Sequence, residues 1–134
     1  MSLALQVLRG TYTIYRLSPA TSLPTEVLKS SFLSVTKTEE ELSIVCDSSL
    51  ILDAETSESG WSCIKVLGPL DFALTGILAR LSGILAEADI SIFALSTYDT
   101  DYILLKEEKL AAAIRVLCAN GYLLDKDKPK ICMR

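Results

Sequence analysis

The stretch from Trp61 to Leu105 limits the fold more than any other part of this 134-residue chain. It reads as strand, turn, amphipathic helix, strand, tight turn and strand. After the turn Gly68-Pro69-Leu70-Asp71, the residues Leu74, Ile77, Leu78, Leu81, Ile84, Leu85 and Ala88 recur at three- and four-residue steps. One helix face is therefore apolar. Ile90–Ser96 and Tyr102–Leu105 are rich in β-branched, aromatic and other apolar residues, and Thr97-Tyr98-Asp99-Thr100-Asp101 separates them as a hairpin turn. A second helical run, Glu107–Asn120, stops at Gly121 before Tyr122-Leu123-Leu124. The order βαββαβ predicts a ferredoxin-like α+β fold, one sheet with two helices on one face.

Trp61, Gly68, Phe72, Gly76-Ile77, Leu85, Ala88-Asp89-Ile90-Ser91, Ser96-Thr97 and Asp101 stand in a distinctive order and spacing. In this the segment resembles the ACT domain, a small regulatory module that binds amino acids. It is similar to the tandem-ACT group that includes the CASTOR-type arginine sensors and short bacterial proteins.

The first sixty residues echo the rest. Val7-Leu8-Arg9-Gly10 matches Val66-Leu67-Gly68-Pro69 as an apolar strand end running into a glycine turn. Ser34-Val35-Thr36 and Leu42-Ser43-Ile44-Val45 bracket a charged turn, as Leu95-Ser96-Thr97 and Tyr102–Leu105 do. Aligning Thr36 with Thr97 leaves the two turns one residue different in length, so they are not expected to be identical. The reading is two ferredoxin-like, ACT-type modules in tandem. Residues 1–58 form a degenerate first module and residues 59–134 a complete second one. In the first, Pro19 and Pro24 leave room for a turn or two of helix at Thr25–Lys29. The second helix is missing, and the acidic, Ser-rich run Asp53–Gly60 reads as a linker.

Composition excludes several classes. Half the residues are apolar and 22% are charged, an ordinary soluble balance. The net charge of -4 argues against nucleic acid. No histidine is present, which removes the usual general base and the commonest metal ligand. The four cysteines form no CxxC pair, so zinc and redox motifs are not indicated, and reduced thiols in a cytoplasm are expected. Cys118 on the apolar face of the last helix reads as packing. No apolar run is long enough to span a bilayer. No GxSxG, P-loop or dinucleotide fingerprint appears, so the chain is read as no enzyme and as needing no cofactor.

The candidate ligand residues lie at two turns. Asp71 fits a helix N-cap, and free amides at a helix N-terminus also bind a carboxylate. Gly76, read as lying inside the helix, either packs the helix closely on its sheet or makes room for a ligand. The resemblance implies that the loop holding Gly68, Leu70, Asp71 and Phe72 docks the amino-acid backbone. It also implies that Thr97 and Asp101 line the pocket beside an aromatic at Tyr98, with the acid receiving a cationic group. Physically, a partly buried carboxylate makes charge-assisted bonds to an ammonium or guanidinium. Leu74 stands where arginine sensors place a further acid, which reduces the charge available for a guanidinium. Glu39-Glu40-Glu41 in the first module reads as a solvated, edge-protecting turn.

Two functions follow from different classes. The first is a regulatory sensor that binds a small amino acid at a module or subunit interface and passes that state to a protein partner. The second is an assembly module that kept the fold and lost the pocket. Either is expected as a homodimer, without nucleic acid or membrane, because a module lacking a helix must cover its sheet.

Overall fold

The computed structural model describes residues 3–67 and 76–125. Its strands are β1 (Ala4–Val7), β2 (Tyr12–Leu17), β3 (Ser34–Lys37), β4 (Leu42–Asp47), β5 (Thr56–Val66), β6 (Phe93–Ser96), β7 (Asp101–Lys106) and β8 (Leu123–Leu124). The helices are α1 (Ile77–Glu87) and α2 (Leu110–Ala119), with shorter 3-10 turns at Thr25–Lys29 and Glu107–Lys109. By contact the chain divides into two compact units. One is Gly10–Trp61; the other joins Met1–Arg9 to Ser62–Arg134.

The second of these units carries both helices. Its strand order is β6-β7-β5-β1-β8, using the second half of β5. Of the pairs whose register is defined, only β1–β8 is parallel, so the sheet is mixed. Residues two apart on each strand share a face. Leu5 and Val7 of β1, Ile64 and Val66 of β5, and Ile103 and Leu105 of β7 form one such face. Leu81 and Leu85 of α1 and Ala113, Ile114 and Leu117 of α2 pack onto it. Leu81, Leu85 and Leu117 retain no exposure. Each such side chain contributes about 1.5–3 kcal/mol by leaving water. The expected βαββαβ order is present, with one addition. A four-stranded ferredoxin-like sheet would set β8 beside β5, but here β1 stands between them. The N-terminal strand, read from sequence as the opening of the first module, groups with the helices because its alternate Leu5 and Val7 complete their core.

Gly10–Trp61 has the strand order β3-β4-β2-β5, using the first half of β5. Tyr15, Leu17, Val27, Leu42, Ile44, Cys46 and Leu52 form its core. Val27 comes from the expected turn at Thr25–Lys29. Asp47–Leu50 makes only a turn, so no second helix covers this unit among the described residues. Thr56–Gly60, expected as a linker, is strand. Thr56, Ser57 and Glu58 pair with Arg16, Tyr15 and Ile14. Their polarity follows from exposure rather than from disorder. The register slips between Tyr12 and Ile14, and Gly60 takes φ 81 there, as a β-bulge requires.

Cys46 and Cys63 are free and buried. Cys118 is disulfide-bonded, which corrects the expectation of reduced thiols throughout. No helix among the described residues is long and apolar enough to cross a membrane.

Candidate functional site

The hairpin turn between β6 and β7 is built by its own hydroxyls. Ser96 closes β6 opposite Asp101, which opens β7. Between them the Thr97 amide donates to the Thr100 carbonyl at 2.8 Å. Thr97 Oγ1 donates to the same carbonyl at 3.1 Å and accepts from the Thr100 amide at 3.3 Å. One hydroxyl can do both, which is why threonine suits this position. Ser96 Oγ donates to Asp101 Oδ1 at 2.6 Å, a charge-assisted bond that orients the carboxylate.

Thr100 ties this turn to the rest of its unit. Its side chain is 3% exposed, and Oγ1 donates to the Val66 carbonyl at the end of β5. Leu67, the next residue, donates its amide to Ala4 of β1 at 2.9 Å. The base of the turn and the exit of β5 therefore lie at one edge of the sheet. The predicted loop residues Gly68, Leu70, Asp71 and Phe72 follow Leu67 in sequence and lie outside the described residues, as does Leu74. Thr97 and Asp101 are held in one turn. Tyr98 is 81% exposed, so its ring does not wall off the carboxylate.

Two sequence readings need correction here. Gly76 is not inside a helix. It is the N-cap of α1 at φ 80, and no side chain caps that end. The left-handed backbone explains the glycine, since other residues are strained there. The two hairpin turns are also alike, contrary to the alignment of Thr36 with Thr97. Thr38 plays the part of Thr97: its amide donates to the Glu41 carbonyl at 2.9 Å, and its Oγ1 accepts from Glu41 at 3.1 Å. Lys37 pairs with Leu42 as Ser96 pairs with Asp101. The position of Asp101 is thus filled in Gly10–Trp61 by buried Leu42. Only one of the two turns carries the acid at its base.

Sequence reasoning missed Thr100 and Arg80. The threonine was legible in principle, since a Thr-x-x-Thr turn next to a strand end has a hydroxyl to place. Arg80 gave no signal. Its Nη2 donates to the Asn120 carbonyl at 2.8 Å, and its guanidinium lies 4.8 Å from the centre of the Tyr122 ring. A cation at the C-terminus of α2 is favourably placed. No group of His, Cys, Asp and Glu among the described residues could hold a metal ion.

The family model described as ACT domain matches residues 56–119, and a model of an N-terminal domain matches residues 10–52. The human protein named cytosolic arginine sensor for mTORC1 subunit 1 is 37% identical over 83 residues, covering 52% of this chain and 25% of that protein. This chain thus spans about a quarter of that relative. The human putative protein CASTOR3P is 30% identical over 106 residues, covering 69% of this chain and 65% of the other. The crystal structure of protein Atu0741 from Agrobacterium tumefaciens superposes with a TM-score of 0.86 at 35% identity, covering 93% of each chain.

Proposed function

The chain belongs to the ACT domain family, and from that premise we propose that it is a regulatory protein that binds a small amino acid and carries out no catalysis. In this reading it works in the cytoplasm as a homodimer and passes its bound state to a protein partner. The observation that carries the reading is the locked turn at the end of β5. Ser96 orients Asp101, and Thr100 fastens the turn to Val66. A carboxylate held in that way is a fixed acceptor for an ammonium or guanidinium group, and little ordering is left for the ligand to impose. In this reading Gly68–Phe72, which follow Leu67 in sequence, receive the ligand carboxylate. Leu42 at the equivalent position of the other unit supports one site per chain rather than two.

Arginine is the first ligand to try, because a 37%-identical relative is an arginine sensor by name. The test is a thermal-shift screen of the full chain against the twenty amino acids. One or a few should give saturable stabilisation, about 2.7 kcal/mol at a hundredfold excess over the dissociation constant. Twenty flat responses would sink the sensor and leave the pocketless assembly module standing.

A further inference from the structure

The chain contains a single asparagine, and a glycine follows it: Asn120-Gly121. Such a pair reacts with itself. The Gly121 backbone nitrogen attacks Asn120 Cγ, and glycine has no Cβ to crowd the approach. An N–Cγ bond forms and the Cγ–Nδ2 bond breaks. The Gly121 amide proton leaves with the side-chain nitrogen as ammonia. Water then opens the cyclic imide at either carbonyl, leaving aspartate or isoaspartate at position 120. The net change consumes one water and releases one ammonia.

Both residues are exposed, so solvent reaches the pair. The fold nevertheless turns the reacting groups apart. Asn120 closes α2, and Gly121 follows in the left-handed region at φ 96. The Gly121 amide donates to the Cys118 carbonyl at 3.1 Å and the Tyr122 amide to the Leu117 carbonyl at 3.1 Å, the paired bonds of a Schellman cap. The proton that the attacking nitrogen must lose is therefore engaged. The leaving group is engaged too: Asn120 Nδ2 donates to the Val116 carbonyl at 2.8 Å, one turn back along the helix. Attack needs the two groups aligned and close, and these bonds prevent it. A further bond comes from the other helix. Arg80 Nη2 donates to the Asn120 carbonyl at 2.8 Å, while its guanidinium lies 4.8 Å from the centre of the Tyr122 ring. It thus pins the peptide plane between Asn120 and Gly121, which must turn before nitrogen and Cγ meet.

We propose that Asn120-Gly121 is a self-modifying site that the C-terminal cap of α2 holds shut, with Arg80 as its latch. It reacts when the last turn of α2 opens, and helix ends open at small free-energy cost. Isoaspartate would add a methylene to the backbone just before Tyr122, which is 3% exposed, and before Leu123, whose amide bonds to Leu3. The inference goes beyond the proposed function and does not depend on any ligand. The test incubates the full chain at mildly alkaline pH and follows the tryptic peptide beginning at Val116 by mass spectrometry after reduction. The native chain should convert at least about tenfold more slowly than the same chain unfolded in urea. Arg80→Ala should convert at least about threefold faster than native, and Arg80→Lys, which keeps a donor, should fall between. Thr100→Val, which weakens the hairpin turn of the same unit, should keep the native rate. Equal rates in the native and the urea-unfolded chain would overturn the closed cap. An Arg80→Ala rate equal to native, or one matched by Thr100→Val, would overturn the latch. No conversion in urea would overturn the site itself.

Discussion

Replacing Thr100 with valine removes one hydroxyl and keeps the side-chain shape. The lost bond is the one from Oγ1 to the Val66 carbonyl, made by a side chain that is 3% exposed. A typical hydrogen bond contributes about 0.5–1.5 kcal/mol net. Here the carbonyl lies against a buried side chain, so removing its donor leaves part of its bonding capacity unmet. The expected loss is about 1–3 kcal/mol. For a chain of this size that corresponds to roughly 4 °C per kcal/mol. Urea denaturation followed by circular dichroism should show a lower midpoint with an unchanged slope, since the surface exposed on unfolding is the same. Thr38→Val is the internal control. It removes the same kind of turn hydroxyl where the bonds are exposed, and it should cost no more than about 0.5–1 kcal/mol. If Thr100→Val falls within about 0.5 kcal/mol of native, the turn is not fastened to β5 as argued.

Asp101→Ala should weaken amino-acid binding by about 1.5–3 kcal/mol with little change in stability, as for a lost bond to a charged group; calorimetry on the folded variant reads it, and unchanged affinity would remove Asp101 from the site. Leu85→Ala should cost about 2–5 kcal/mol in chemical denaturation, because the side chain is wholly buried between helix and sheet. Gly76→Ala should cost about 1–2 kcal/mol through backbone strain alone, since φ is 80 and the added methyl meets no atom within 4 Å; a neutral result would refute the left-handed cap. Burial pushes the Cys63 thiol from 9.0 up to about 12. The unfolded chain then ionises first, so this group's contribution is complete below about pH 9 and is lost as pH rises towards 12. Cys63→Ala should flatten that part of the stability profile.

Local patterns were legible where the cause of structure is local. Helical periodicity identified α1 and α2, and the hairpin Phe93–Lys106 announced itself by its turn residues and flanking strands. What escaped was set by partners far away in sequence. Thr56–Gly60 looks like a linker because its strand faces are exposed, and only pairing with Arg16, Tyr15 and Ile14 makes it a strand. Ala4–Val7 carries no mark that it pairs with β5 and β8. Gly76 fell inside a periodic run, and periodicity cannot show where a helix actually begins. The acid and threonine of the turn were found by resemblance. The threonine's equivalent in the other unit was misaligned by two residues, because Thr36 and Thr38 are interchangeable on paper and only register separates them.

The placement of β1 has a consequence for synthesis. Its two partners are Val66-side residues of β5 and, later, Leu123-Leu124 of β8. A ribosome adding about 5–20 residues per second delivers β5 roughly 3–12 s after β1, and β8 several seconds later still. Through that interval Leu5 and Val7 are made but have no strand to join. Gly10–Trp61, by contrast, has all its strands as soon as the first half of β5 emerges. The nascent chain should thus gain protease resistance in two steps, the earlier one enclosed in sequence by the segments that form the later one.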